Sequence, residues 1–134
     1  MTNGDADLVM LQPTDYLRLR NKNNLIPLVV GAIEGTPHDP SLLLVPTEKS
    51  TLQLADLKGA RIGIDQGAFK SAPMLWLQTR LRLDHRPNAN AFFSDISISA
   101  QTSQPVMRAF FGQANACLVS ENVFLTMNAL NPQL

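Results

Sequence analysis

Apolar runs of strand length alternate along this chain with stretches of helical period, and this alternation constrains the fold more than any other feature. The strand-length runs cover residues 6–11, 27–33, 41–46, 61–65, 94–99 and 116–119. Several are apolar on successive residues, which is typical of strands that helices cover on both faces. Strands that alternate with helices form βαβ units. The sequence therefore predicts an α/β fold, with a mostly parallel sheet flanked by helices.

Start and stop signals delimit four helices. The shortest begins at a capping box, "STLQ" at residues 50–53, and ends at Gly59, which can take the left-handed conformation. The other three are predicted over residues 71–83, 104–111 and 121–129, the last with Ser120 as its cap. Residues 34–40 and 84–90 are rich in Pro, Asn and Asp, and we expect loops there.

Length and composition limit the function classes. The chain has 134 residues, the size of one hydrophobic core, so we expect a single domain over residues 1–134. Its 11 basic residues offset 11 acidic ones, and such a balance gives no long-range positive field for nucleic acid. The longest apolar runs are too short to span a bilayer. We therefore expect neither a nucleic-acid partner nor membrane insertion.

Signatures of catalysis are absent from the sequence. It contains no Gly-rich nucleotide fingerprint, no nucleophile elbow and no His/Cys cluster with metal spacing. The single cysteine, Cys117, lies in the apolar run "ANACLVS", which predicts a buried thiol. Asp65 ends a predicted strand beside a turn, a position where Asp commonly accepts from a backbone amide. We expect no catalytic residue, no metal ion and no cofactor.

The stretch from residue 66 to residue 73 predicts an anion-binding corner. A strand runs there into a helix start, where unpaired amides and the helix dipole suit an oxyanion. Gly67 permits a sharp turn, Ser71 offers a hydroxyl and Lys70 offers a charge. The alternative is that Ser71 only caps its own helix and that Lys70 faces water.

Two further corners have the same pattern. Residues 98–105 contain Thr102 and Ser103 at a second helix start, and residues 120–122 form a third. Ligands of open α/β sheets bind beyond the carboxyl ends of the strands. Because corners of one parallel sheet lie along the same edge, we expect these three to share one edge.

The order of segments resembles a known family. "GDADLVMLQPTDYLRLR", "LADLKGARIGIDQGAFKSAPMLWL" and "VMRAFFGQANACLVSENVFLTM", followed by "LNPQL", are similar to successive blocks of the phosphate/phosphonate-type periplasmic binding proteins, the solute receptors of bacterial ABC importers. The "DLKG" sequence and the later pattern formed by Ala109, Gly112, Ala114 and Ala116 carry the resemblance. It implies the type II periplasmic binding fold, in which two α/β lobes close around an oxyanion.

The resemblance also implies a site and partners. It places Ser71 and Ala72 at the anion corner, with Tyr16, Thr102 and Ser103 nearby. The implied partners are a small anionic ligand and an ABC permease. The implied location is the periplasm, although the start "MTNGDADLVML" shows no secretion signal, so the chain as given is expected in the cytoplasm.

The chain also departs from the family. Its turn "QGAFKSA" offers fewer hydroxyls than the Ser/Thr-rich turn of the relatives, and Asn115 stands where they usually have Asp. The relatives are about twice as long, so we expect one complete lobe plus part of the other, with an apolar lobe face that could pair into a homodimer. Two alternatives to solute binding remain open: a sensory or interaction domain, or remnant, of the same fold, and an enzyme on this scaffold.

Overall fold

The computed structural model describes residues 7–23, 25–32, 35, 40–49, 52–67 and 71–132. The chain divides into two compact units, Met1–His38 and Asp39–Leu134. The described part of the first unit contains one helix, α1 (Pro13–Asn23). The single domain expected over residues 1–134 stays a prediction.

The second unit alternates strands and helices. Its elements are β1 (Ser41–Leu44), two 3₁₀ turns (Thr47–Lys49 and Leu54–Leu57), β2 (Arg61–Asp65), α2 (Ala72–Leu83), α3 (Ala89–Phe92), β3 (Asp95–Ser99), α4 (Ser103–Phe110), β4 (Ala116–Ser120) and α5 (Glu121–Leu130). None of the helices in the described residues is long and apolar enough to cross a membrane.

The four described strands form one sheet in the order β1-β4-β2-β3. Strand β2 pairs in parallel with both β3 and β4, and β1 pairs antiparallel with β4. The carboxyl ends of the three parallel strands therefore lie along one edge. This arrangement confirms the predicted α/β fold with a mostly parallel sheet.

Helices pack on both faces of this sheet. On one face, α2 and α3 cover the inward side chains of β2 and β4. The core there includes Ile62, Ile64, Leu77, Leu81 and Leu118. On the other face, α4 and α5 cover a second cluster that includes Val106, Ala109, Cys117 and Val119. Adjacent residues of β4 thus contribute to opposite cores, which explains why the strand is apolar on successive residues.

Most predicted elements of the second unit are confirmed. The strand over residues 61–65 has the predicted bounds, and those predicted at 94–99 and 116–119 differ by one residue at one end. The strand predicted at 41–46 ends earlier, at Leu44. The helices predicted at 71–83, 104–111 and 121–129 agree to within one residue at each end.

The two strands predicted in the first unit are wrong wherever the structure describes them. Residues 7–11 and 27–32 have no regular secondary structure, and residues 6 and 33 lie outside the described residues. Side chains of Leu8, Met10 and Val29 are 75%, 98% and 91% exposed. A strand requires a neighbour for its backbone hydrogen bonds, and the described residues of the first unit contain no strand that could serve as one.

Three helical elements also differ from expectation, and one predicted helix end agrees. Helix α3 begins inside the predicted loop 84–90, where the Asn88 side chain accepts from the Ala91 amide at 3.0 Å. The predicted cap Ser50 lies outside the described residues, and the second 3₁₀ turn begins at Leu54 instead. The left-handed conformation expected of Gly59 is confirmed, with φ at +76°. Helix α1 was not among the four predicted helices.

Candidate ligand-binding site

Four of the predicted site residues lie at two neighbouring helix starts. Ser71 and Ala72 begin α2, which follows the carboxyl end of β2. Thr102 and Ser103 begin α4, which follows the carboxyl end of β3. Because β2 and β3 pair in parallel, both corners belong to the same edge of the sheet. The topology thus assembles one rim from two separate parts of the sequence, and we call this rim the carboxyl edge.

The remaining two predicted residues lie elsewhere in the chain. Tyr16 is half-buried in α1, within the first compact unit. Lys70 lies outside the described residues. It is the one basic residue in the sequence between Arg61 and Arg80. The roles assigned to both residues stay predictions.

Neither Ser71 nor Thr102 caps its own helix. The side chains of Ser71 and Thr102 make no capping hydrogen bond, and both residues have helical backbone angles, φ −105° and ψ −10° for Ser71 and φ −58° and ψ −34° for Thr102. A capping side chain normally requires an extended backbone at its own residue. The interpretation of Ser71 as only a helix cap is therefore wrong, and its hydroxyl is not committed to the first turn of α2.

The third predicted corner is built differently. Ser120 has an extended backbone, φ −73° and ψ 154°, and its hydroxyl accepts from the Val123 amide at 3.3 Å. This hydrogen bond satisfies one of the unpaired amides at the start of α5. Ser120 is therefore engaged in capping, unlike Ser71 and Thr102. The hydroxyls available to a ligand lie at the first two corners.

The backbone leading into these corners is held by hydrogen bonds of strand-end residues. The carboxylate of Asp65 accepts from the Gly67 amide at 2.9 Å, which confirms the capping role predicted for this residue. Ser99 was missed in the sequence. Its hydroxyl accepts from the Gln101 amide at 3.0 Å, and the signal that could have identified it is a serine at a strand end, two residues before the turn amide that it binds.

A cavity of about 360 Å³ lies away from the carboxyl edge. Its walls include Leu44 and Cys117, which pair near the amino end of β4, together with aliphatic and aromatic side chains of α4 and α5. Glu48 is its one charged lining residue. An apolar wall with a carboxylate does not suit an anion, so this cavity is not the site predicted from the helix starts.

The thiol of Cys117 is sealed in the core. Cys117 is 1% exposed, and burial raises its pKa from the ordinary value of 9.0 to about 12. The thiolate, which is the reactive form, is therefore negligible at neutral pH. Within the described residues no group of three His, Cys, Asp or Glu side chains could hold a metal ion.

The raised pKa of Cys117 predicts a loss of stability at alkaline pH. The unfolded thiol ionises near 9.0 and the folded one near 12, so its contribution is complete below the unfolded pKa and falls as pH rises through that interval. The free energy of unfolding of the native chain should fall by about 1.4 kcal/mol per pH unit relative to Cys117→Ala. Urea unfolding of both proteins at about pH 8 and about pH 10 measures this difference. An unchanged difference would contradict the burial of the thiol.

The fold and the carboxyl edge define an α/β protein of the class that binds ligands beyond the carboxyl ends of its strands. The family model described as the phosphonate periplasmic substrate-binding protein of ABC transporters matches residues 1–134. The chain belongs to this family, which is one of transport-associated binding proteins and not of enzymes. No match is found among curated proteins.

Proposed function

We propose that this chain binds a small oxyanion of the phosphonate or phosphate type as the substrate-binding component of an ABC importer. Membership of the phosphonate-binding family supports the ligand class. The permease of the importer and a periplasmic place of action are parts of the same proposal. A homodimer through an exposed apolar lobe face stays a prediction.

The observation that carries the proposal is the pair of hydroxyls that cap nothing at neighbouring helix starts. Ser71 and Thr102 each stand where a serine or threonine usually serves its own helix, and each leaves the helix amides without that partner. Hydroxyls and amides at a helix start are donors, and a bound oxyanion supplies acceptors for all of them. The chain thus keeps neutral donors at two adjacent corners.

The proposed ligand shell combines the two described corners with residues assigned by family resemblance. The hydroxyls of Ser71, Thr102 and Ser103 and the amide of Ala72 donate to the anion. Tyr16 and Lys70 are assigned to the ligand by family resemblance alone. A shell of mostly neutral donors selects by geometry and hydrogen bonding, since the net charge of the chain is zero and long-range attraction is weak.

Ligand-dependent stability tests the proposal. An anion at about a hundred times its dissociation constant should stabilise the folded chain by about 2.7 kcal/mol. Thermal unfolding is measured with methylphosphonate, inorganic phosphate and sulfate, and sodium chloride at equal ionic strength serves as the control. A shift with methylphosphonate or phosphate beyond that of chloride is expected. The absence of a specific shift with all three anions would contradict the proposal and favour a remnant of the fold.

Two substitutions at helix starts separate binding from capping. Ser71→Ala should remove most of the anion-dependent shift with little effect on stability, because this hydroxyl does not cap α2. Asn88→Ala should lower stability by about 1 kcal/mol and leave the shift intact, because Asn88 does cap α3. Both variants are compared with the native chain by the same thermal unfolding. Equal anion shifts in the native chain and Ser71→Ala would refute the assignment of this corner.

A further inference from the structure

Asp65 is the one buried charged side chain among the residues that the structure describes. It is 4% exposed and ends β2 at the carboxyl edge. A buried carboxylate is costly unless hydrogen bonds compensate it, and one compensating donor is the Gly67 amide at 2.9 Å. That bond fixes the residue at which the chain leaves the sheet. Gly67 has φ at +47°, and a Cβ there would lie 3.3 Å from Asp65 Oδ2, so the turn is closely fitted around the carboxylate.

Ser99 holds the turn after the neighbouring strand by hydrogen bonds, as Asp65 holds the turn after β2. It is the register partner of Asp65 and ends β3. Its hydroxyl accepts from the Gln101 amide at 3.0 Å and donates to the Gln101 carbonyl at 3.1 Å. Its carbonyl accepts from the Gln66 amide at 2.8 Å, which ties the β2 corner to the β3 corner. Gln66 and Gly67 in the first turn, and Gln101 in the second, are therefore hydrogen-bonded to this last pair of the two strands.

Both side chains lie on the face of the sheet that α4 covers. Gly63, two residues before Asp65, approaches Pro105 of α4 so closely that an added Cβ would lie 3.2 Å from its Cα. Residues two apart in a strand share a face, and parallel register partners do as well. The pair of Asp65 and Ser99 thus lies beyond Gly63 on the face where α4 packs.

We infer that Asp65 and Ser99 are positioning residues for the proposed oxyanion site. They act through the backbone of the two turns and hold the starts of α2 and α4 in the relative placement that lets donors of both corners meet one ligand. This inference rests on the proposed function. The inference goes beyond the proposed function because it makes the affinity for the ligand depend on a carboxylate, a group whose charge alone would repel an anion.

The sign of the charge effect makes the inference testable. Removing a carboxylate near an anion site relieves repulsion, so a residue without a positioning role gives equal or tighter binding when it is neutralised. The positioning role predicts the opposite for Asp65→Ala, about tenfold weaker binding of methylphosphonate and inorganic phosphate. Asp65→Asn keeps an oxygen that accepts from Gly67, and we expect it to bind within about threefold of the native chain.

Titration calorimetry of the full chain with both probes measures these affinities. Native-like affinity in Asp65→Ala, or an equal loss in Asp65→Asn and Asp65→Ala, would overturn the positioning role. Ser99→Ala should lose about tenfold as well, since it leaves the Gln101 amide without its partner. Binding by Ser99→Ala at the native level would remove Ser99 from the inference.

Amide hydrogen exchange, followed by NMR without ligand, tests the same contacts separately. Exchange at Gly67 should be about tenfold faster in Asp65→Ala and unchanged in Asp65→Asn, while exchange at Gln101 should be faster in Ser99→Ala. The Gln66 amide, which is bonded to a backbone carbonyl, is the internal control and should change in none of them. Unaltered Gly67 exchange in Asp65→Ala overturns the inference. If the variants show this exchange pattern but the native chain binds neither probe, the proposed function is refuted, while the hydrogen bonds assigned to Asp65 and Ser99 stand.

Discussion

Gly63→Val is expected to destabilise the chain by about 3 kcal/mol, because no space exists for a side chain at this residue. Gly63 is buried in β2, which lies between β4 and β3. A Cβ added there would lie 3.2 Å from both the Cα and the Cβ of Pro105, in the first turn of α4. Backbone cannot rotate away as a long side chain can, so α4 must move off the sheet.

The displacement should also reach the candidate site. Pro105 lies just after Thr102 and Ser103, so a shift of the first turn of α4 moves one of the two proposed corners. We expect the fraction of Gly63→Val that folds to lose the anion-dependent shift in thermal unfolding. Gly63→Ala should show both effects to a smaller extent, about 1 kcal/mol in stability, since it adds only the Cβ.

Urea unfolding measures the effect, and Gly31→Val is the matched control. An added Cβ at Gly31 meets nothing within 4 Å, and Gly31 has no positive φ that would strain a side chain. Its substitution should change the free energy of unfolding by less than about 0.5 kcal/mol. If the two valine substitutions had similar effects, the tight contact between β2 and α4 would not exist as described.

The central strands could be predicted because their burial is recorded locally in the sequence. Residues 61–65 and 116–120 are covered on both faces, and a strand covered on both faces is apolar on successive residues. The glycine at position 63 interrupts the first run for a reason that periodicity cannot reveal. It faces Pro105, which is more than forty residues away in the chain.

The same apolar composition gave wrong predictions in the first unit. Residues 27–32 are as apolar as the central strands, yet Leu28, Val29 and Val30 are 77%, 91% and 71% exposed. Apolar composition indicates that a segment tends to be buried, but it does not indicate whether a neighbouring strand is present to pair with it. Helix α3 was missed for the opposite reason, since its four residues are too few to show a helical period.

The sequence predicted where the residues of the candidate site lie, but not whether their hydroxyls cap a helix. The rhythm of strands and helices placed Ser71, Thr102 and Ser120 at helix starts, which the structure confirms. Whether such a residue caps its helix depends on its own backbone angles, which are helical for the first two and extended for Ser120. The distinction that matters for ligand binding is therefore set by the path of the chain through each corner.

Leu118→Ala should lower the free energy of unfolding by about 3 kcal/mol, because it opens a cavity in the main core. Leu118 is completely buried in β4, between β1 and β2, within the cluster that also contains Ile64 and Leu77. Its neighbours belong to a strand and a helix that pack on each other, so the surroundings can collapse only partly. Of an expected total stability of about 5–15 kcal/mol, this loss is a large share.

Leu125→Ala on α5 is the control that keeps the chemistry of the substitution and changes the burial. Leu125 is 56% exposed, so its truncation should cost less than about 1 kcal/mol. Urea unfolding of both variants, with the anion absent, compares the two losses at a constant m-value. Leu118 lies on the face of the sheet that α2 covers, whereas Gly63 faces α4, so Leu118→Ala should leave the Gly63 contact unaltered. The folded fraction of Leu118→Ala should therefore retain the anion-dependent shift in thermal unfolding that Gly63→Val loses. Loss of that shift in both variants would indicate that anion binding at the two corners depends on global stability and not on their local geometry.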